Sequence, residues 1–182
     1  MRSFSSAVVL ALAVMAGARA FAGCASVPSD VRIGLDEPSG SEAQFGLVGN
    51  FLDHRCGSLD CHGQVGRDLR IWGCEGMRLD PNDSPICTVK TTTPAEHEAT
   101  YRSLVGLEPT VMSYVASHMG DDPALLTFVR KARGTESHKG GTLITPGDVQ
   151  DQCITSWLAG STNGMACRAA LTFPMFPDAS AE

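Results

Sequence analysis

Two cysteines and a histidine stand close together in the segment Arg55–Gly63, which reads RCGSLDCHG. Thiols such as those of Cys56 and Cys61 can bond the two vinyl groups of a porphyrin, and His62 would then be delivered to the iron. This is the arrangement of a c-type haem attachment site, except that four residues separate the cysteines where the usual motif has two. The segment therefore predicts one covalent haem c, attached at Cys56 and Cys61, with His62 as an iron ligand.

Two other uses of these residues stay open. A Cys56–Cys61 disulfide would close a short turn and leave His62 as a surface side chain. A metal site such as zinc is the less favoured use, because Cys-x4-Cys-His has no second ligand pair at zinc-finger spacing. The other cysteines stand singly in the sequence, and Cys-x-x-Cys does not occur.

The first 23 residues have the pattern of an export signal. Arg2 precedes an apolar run over residues 7–16 that is too short to span a bilayer, and small residues follow. The tetrapeptide Phe21-Ala22-Gly23-Cys24 resembles a bacterial lipobox, in which cleavage before the cysteine accompanies attachment of diacylglycerol to its sulfur. We therefore expect a lipoprotein signal peptide over residues 1–23 and lipidation of Cys24; ordinary secretion with a free Cys24 is the alternative.

The chain has seven cysteines, and an exported protein can oxidise those that carry no other group. After lipidation of Cys24 and attachment of haem, four remain: Cys74, Cys87, Cys153 and Cys167. Three pairings are formally possible, and we favour the local one, Cys74–Cys87 with Cys153–Cys167. A disulfide that closes a loop of this size typically stabilises a fold by about 3 kcal/mol.

Composition suggests one domain with flexible ends. Residues 24–42 are rich in Pro, Gly and Ser and predict a tether, residues 43–171 the folded domain, and residues 172–182 an irregular tail. The formal charge of −6 becomes about −8 when Arg2 and Arg19 leave with the signal, which argues against a nucleic-acid partner. The expected membrane contact is the N-terminal acyl anchor, on the cell envelope at the periplasmic face or the outer membrane.

Helical periodicity runs through the domain. A first apolar face runs into the cysteine motif, and Thr93-Pro94-Ala95-Glu96 is a typical helix start. Further helices are expected after Pro109, after Pro123 and after Thr145–Asp148, the last ending at Gly160. Apart from a possible strand at residues 70–72, the sequence predicts an all-α domain of four to five helices with irregular loops.

This order of elements resembles class I cytochrome c. The segment His138-Lys139-Gly140-Gly141, followed by a helix that ends Trp157-Leu158-Ala159-Gly160, is similar to a cytochrome c domain family of planctomycete and myxobacterial surface proteins. The similarity covers residues 45–160 and departs from the family in the cysteine spacing and the extra cysteine pairs. It implies a class I cytochrome c-like fold around one haem.

The resemblance also implies the remaining haem contacts. His138 is expected as the second axial ligand, in a loop whose glycines let the backbone approach the porphyrin; a solvated loop histidine beside Arg133 and Lys139 is the alternative. Trp157 is expected to line the haem pocket, with ordinary core packing as its alternative. Competing sixth ligands are the methionine thioethers, at Met77, Met112, Met119 and Met165. An open sixth position would instead permit a gas-sensing or peroxidase-like role. The other histidines are assigned no ligand role, and His97, between two glutamates, is expected in a surface ion pair.

These features predict an envelope-anchored monohaem c-type cytochrome that passes single electrons between redox partner proteins and is not itself an enzyme. Nothing in the sequence indicates a hydrolytic triad or a phosphate-binding loop. The alternative is a disulfide-stapled surface lipoprotein without cofactor, acting as a binding or structural module. That protein would have three disulfides including Cys56–Cys61, whereas the haem protein would have two.

Overall fold

The structure is a computed structural model that describes residues 34–172. The predicted signal peptide, the lipidation site Cys24 and nearly all of the predicted tail lie outside the described residues. From Leu35 onward the described residues belong to one compact unit. They form α-helices, one short 3-10 helix and irregular segments, with no β-strand among them. The all-α prediction is therefore confirmed for the described part of the chain.

Six α-helices follow one another along the described chain. They are α1 (Glu42–Cys56), α2 (Pro94–Val105), α3 (Pro109–Ser117), α4 (Thr127–Ala132), α5 (Val149–Leu158) and α6 (Gly164–Ala170), with the 3-10 turn Pro123–Leu125 before α4. Helix α2 begins as predicted, with a capping box in which Thr93 and Glu96 each accept a hydrogen bond from the other's backbone N–H. Helix α6 was not predicted; Asn163 caps it by accepting a hydrogen bond from the N–H of Ala166.

Helix α1 lies at the centre of the core and packs against α2, α5 and α6. Its buried face contains Phe45, Val48, Phe51 and Leu52, which are the residues that the helical periodicity marks. The rings of Phe45, Tyr101 and Trp157 meet edge to face, with centroids 5.2 to 6.4 Å apart. This cluster packs α2 and α5 against α1, the helix that enters the cysteine motif.

Part of the predicted tether is packed on the domain. The indole Nε1–H of Trp157 donates to the carbonyl of Ser39 (2.9 Å), and the hydroxyl of Tyr101 donates to the carbonyl of Pro38 (2.9 Å). The backbone N–H of Asp36 donates to Ser113 Oγ at 2.9 Å. The folded domain therefore begins by residue 36, several residues earlier than predicted, because two core side chains offer hydrogen-bond donors to this segment.

The strand predicted at residues 70–72 is not present. The backbone N–H of Arg70 donates to Ser103 Oγ (2.8 Å), and that of Trp72 donates to Thr100 Oγ1 (2.9 Å). These hydroxyls belong to α2, so the segment satisfies its backbone donors with helix side chains instead of a neighbouring strand.

Both disulfides of the favoured local pairing are present. Cys74–Cys87 lies in the irregular segment between α1 and α2, and Cys153–Cys167 joins α5 to α6. Cys56 and Cys61 are free thiols. Within residues 34–172, no helix combines the length and apolar character needed to cross a bilayer.

Candidate functional site

A largely apolar cleft of about 460 Å³ opens beside the cysteine motif. Its walls come from the end of α1, the loop after the motif, helix α4 and the loop that follows α4. The lining residues include Phe51, Leu52, Cys56, His62, Leu69, Ile71, Phe128, His138, Leu143 and Ile144. Cavities of this size and polarity are typical of cofactor and small-molecule sites.

The ring of His62 is oriented by the backbone. Its Nδ1 lies 2.8 Å from the carbonyl oxygen of Leu69. Because a carbonyl can only accept, Nδ1 carries the proton and Nε2 of the neutral ring keeps its lone pair. Burial lowers the pKa of His62, and the nearby His138 and Arg67 act in the same direction. The imidazole is therefore neutral at pH 7 and has the tautomer in which Nε2 can bind a metal.

The structure brings His138 next to His62, although the two are distant in sequence. Their ring centroids lie 6.0 Å apart, and the ring planes differ by 21°. Nδ1 of His138 donates to the carbonyl of Gly141 at 3.3 Å, which again leaves Nε2 without a proton in the neutral ring. Metal–nitrogen bonds to imidazole are about 2.0–2.1 Å, so a metal between two such rings would hold their centroids roughly 6 Å apart. The observed centroid separation of 6.0 Å is close to this value.

The two free cysteines lie on one tight turn that ends at His62. The N–H of His62 donates to the carbonyl of Cys56 (3.0 Å), and that of Cys61 donates to the carbonyl of Ser58 (3.0 Å). Cys56 lines the cleft, and burial raises the pKa of its thiol to about 12. Both cysteines are half-buried, and Cys61 is not among the lining residues. The four residues between the cysteines therefore form a compact turn that backbone hydrogen bonds close.

A buried carboxylate behind the motif was missed by the sequence analysis. Asp53 accepts hydrogen bonds from the N–H of Cys74 (3.0 Å), the N–H of Glu75 (3.4 Å) and the hydroxyl of Thr92. Burial raises the pKa of Asp53, although these hydrogen bonds oppose the shift. The residue fixes the loop after the motif to the last turns of α1. In the sequence, the only signal was an acidic residue directly after the apolar pair Phe51-Leu52.

Trp157 does not line the cleft, in contrast to the prediction. It is 1% exposed, and its ring packs against Phe45 and Tyr101 in the core. Ile154, one turn earlier on α5, is the residue of that helix that reaches the cleft. Trp157 therefore has the core role that was the alternative to pocket lining.

The methionines that competed for the sixth position lie elsewhere. Met112 is buried in the core, and Met77, Met119 and Met165 are exposed. None of the described methionines lines the cleft. Among the proposed sixth ligands, His138 alone lies beside His62 in the described part of the chain.

The surface position expected for His97 was wrong. Its side chain is 4% exposed, with Nδ1 2.9 Å from a carboxylate oxygen of Glu42 and Nε2 3.1 Å from Asn50 Oδ1. Both partners belong to α1, so His97 connects α1 and α2 and has no place in the cleft.

Comparisons of the chain with protein-family models, with curated proteins and with solved structures found no match.

Proposed function

We propose that this protein is a monohaem c-type cytochrome that transfers single electrons. Cys56 and Cys61 would carry the haem as thioethers, and His62 and His138 would bind its iron. The observation that carries the proposal is the pairing of two imidazoles that both line an apolar cleft, with ring centroids 6.0 Å apart and each Nδ1 turned to a backbone carbonyl.

The residues of the cleft are suited to haem c. Its apolar walls would exclude water, and Arg67, Lys131 and Lys139 would bring positive charge near the haem carboxylates. The thiols of Cys56 and Cys61 stay free while the other four described cysteines are paired, which favours haem attachment over the cofactor-free, disulfide-stapled module. When bound, haem supplies one-electron chemistry, and the protein contributes ligation and burial.

Ligation of the iron by two histidines would favour electron transfer over gas sensing or peroxidase-like chemistry, because both protein ligands would have to stay bound and no position would be left for a substrate. The finer fold assignment, a class I cytochrome c-like domain, belongs to the same proposal. So does its place in the cell: a lipid anchor at Cys24 would hold the domain on the envelope, where redox partner proteins would donate and accept electrons.

The test is expression with a c-type maturation system, followed by acid–acetone extraction and a pyridine haemochrome spectrum. We expect one haem per chain that stays with the polypeptide, and loss of covalent haem in the double variant Cys56→Ser/Cys61→Ser. The double variant Cys74→Ser/Cys87→Ser is the matched control, because it removes two cysteines away from the cleft and should keep the haem. A colourless protein, or haem that is extracted from the wild type, would overturn the proposal.

A further inference from the structure

The loop that carries His138 is closed at its base by one carboxylate. This loop, residues 134–148, connects α4 to α5. Asp151, in the first turn of α5 and 4% exposed, accepts hydrogen bonds from Arg133 Nε (2.8 Å) and Nη2 (2.9 Å). It also accepts the backbone N–H of Gly147 at 2.8 Å. Arg133 is the C-cap of α4 and directly precedes the loop, so Asp151 connects the end of α4 to Gly147, near the end of the loop.

Other hydrogen bonds fix the second half of the loop to the wall of the cleft. The carbonyl of Ala132 accepts from the N–H groups of Leu143 (2.8 Å) and Ile144 (3.1 Å). Arg55, the residue directly before Cys56, donates from Nη2 to the carbonyl of Leu143 at 3.2 Å. The base of the loop is therefore connected both to α4 and to the helix that enters the cysteine motif.

The tip of the loop is held less firmly. His138 contacts Gly141 within the tip, through Nδ1 at 3.3 Å and through its carbonyl, which accepts from the Gly141 N–H at 3.0 Å. Lys131 Nζ donates to the carbonyl of Ser137 at 3.0 Å, and both lie near the surface. Glu136, two residues before His138, also pairs with Arg130 Nε (2.8 Å) and Lys131 Nζ (3.1 Å) of α4, and these side chains are about one third exposed. Exposed contacts of this kind are weak, so we expect the buried base of the loop to contribute more to the position of His138.

We propose that Asp151 and Arg133 are positioning residues for the second axial ligand. Their buried, bidentate pair fixes the geometry of the loop so that His138 stays beside His62. Such pairs hold a fixed angle as well as a distance, because both guanidinium N–H groups must meet both carboxylate oxygens. The inference rests on the proposed haem function.

The test uses Asp151→Asn in the haem-loaded protein, with carbon monoxide as the probe of the sixth position. In the wild type, His138 occupies that position and competes with carbon monoxide. Loosening the loop raises the fraction of protein with His138 dissociated, so we expect the ferrous variant to bind carbon monoxide at least about tenfold more tightly. The ferric spectrum should gain high-spin character, and His138→Ala should show the full effect.

Glu96→Gln is the matched control, because it breaks the buried bidentate pair with Arg78 and Glu96 is not among the residues that line the cleft. It should reduce stability and leave carbon monoxide binding unchanged. The inference is overturned if Asp151→Asn binds carbon monoxide like the wild type, or if Glu96→Gln shows the same increase. Should Asp151→Asn fail to fold, Arg133→Lys, which keeps the charge and loses the bidentate geometry, takes its place with the same expected direction.

A haem-free measurement separates this inference from the proposed function. Hydrogen exchange in the chain without haem should be faster at residues 134–148 in Asp151→Asn than in the wild type, and unchanged there in Glu96→Gln. A wild type that never acquires haem refutes the proposed function and, with it, the ligand role of His138. Unchanged exchange in residues 134–148 of Asp151→Asn refutes the positioning role itself.

Discussion

At the scale of single residues, backbone carbonyls orient the rings of the two histidines that line the cleft. Leu69 and Gly141 each accept a hydrogen bond from an Nδ1–H, so Nε2 of both neutral rings keeps its lone pair. A carbonyl in this position fixes the ring orientation and the tautomer without adding charge. Such partners cannot be read from a motif, because Leu69 has no polar side chain and contributes only its backbone.

The first prediction concerns the thiol of Cys56 in the haem-free chain. Because burial raises the pKa of Cys56 to about 12, only about one thiol in ten thousand is ionised at pH 8. An ordinary cysteine, with a pKa near 8.5, is about one quarter ionised at that pH. We expect alkylation of Cys56 by iodoacetamide to be about a thousandfold slower than for an exposed thiol. The rate should rise with pH, and peptide mass spectrometry after timed quenching measures it.

The internal control is the same residue in the urea-unfolded chain, where alkylation of Cys56 should occur at the ordinary rate. If the native and the unfolded chains react equally fast, Cys56 is not buried in the wall of the cleft. The position of Cys56 in the wall of the cleft would then have to be revised.

At the scale of elements, the turn of the cysteine motif depends on close backbone packing. A Cβ on Gly63 would overlap the carbonyl oxygen of Gly57 and would lie 2.8 Å from the Cα of Gly76. These are backbone atoms that cannot rotate away. The second prediction is therefore that Gly63→Ala opens the turn, lowers the free energy of unfolding by about 3 kcal/mol or more, and abolishes haem attachment.

Urea unfolding and the haemochrome assay measure these two effects. Gly34→Ala serves as the control, because a Cβ there meets nothing within 4 Å, and it should leave both quantities unchanged. A stable Gly63→Ala variant that carries haem would contradict the packing described for the motif.

The third prediction concerns the start of α2. Glu96 accepts hydrogen bonds from Arg78, from the N–H of Leu79 and from the N–H of Thr93. Burial alone would raise the pKa of Glu96, but these hydrogen bonds outweigh it and lower the pKa below its ordinary value. The folded state therefore favours the carboxylate. Its contribution to stability is present above the unfolded pKa and is lost as the pH falls through the folded pKa.

Glu96→Gln should lower the free energy of unfolding by about 3–5 kcal/mol at pH 7, because the buried guanidinium of Arg78 loses its bidentate carboxylate and is left with that of Asp83, 3.7 Å away. The difference between variant and wild type should shrink as the medium is acidified below about pH 4.5. Urea unfolding curves from pH 7 down to the acid limit of folding measure it. A difference that stays constant over this range would show that the carboxylate charge has no role.

Local signals explain what the sequence could predict of the elements. The helix start at Thr93 and the apolar face of α1 are formed by residues within one or two turns, so both were expected and both are present. His97 and Asp53 were misplaced or missed because their partners are distant in sequence: Glu42 and Asn50 for the first, Cys74 and Thr92 for the second.

The rotation of a helix about its axis is likewise not fixed by its own sequence. Both Ile154 and Trp157 lie on the buried side of α5, and periodicity alone does not say which one reaches the cleft. The indole N–H of Trp157 donates to the carbonyl of Ser39, on the core side of α5. Ser39 lies in a segment that was expected to be a tether, so the sequence did not indicate this partner. The pairing of His62 with His138 was expected from a family resemblance, and the local pattern carried no signal for it.

At the scale of the whole molecule, the two disulfides act on different parts of the fold. Cys153–Cys167 holds the short helix α6 on α5, and both of its residues are fully buried. Cys74–Cys87 lies in the long irregular segment between α1 and α2. The same segment is bound to α1 by the hydrogen bonds of Asp53 and to α2 by the Arg78–Glu96 ion pair. One disulfide therefore links two helices of the core, and the other links two parts of the irregular segment that follows the cysteine motif.

The fourth prediction is that the two disulfides differ in their reduction under native conditions. Thiol–disulfide exchange requires a thiolate to reach a sulfur atom. Cys74 and Cys87 are half-buried, and the neighbours of Cys87 are exposed, whereas Cys153 and Cys167 are 0% exposed. Dithiothreitol should therefore reduce Cys74–Cys87 while the fold persists, and Cys153–Cys167 only when the domain unfolds. Alkylation of the new thiols, followed by peptide mass spectrometry over time, separates the two.

The double variant Cys153→Ala/Cys167→Ala tests the same difference by another route. It should lower the free energy of unfolding by about 3 kcal/mol, as expected for closure of a loop of this size, and leave the reduction rate of Cys74–Cys87 nearly unchanged. If both disulfides of the wild type are instead reduced at one common rate, reduction proceeds through unfolding of the whole domain. The loop segment and the helical core would then form a single cooperative unit, and the cysteine motif could not loosen without the core.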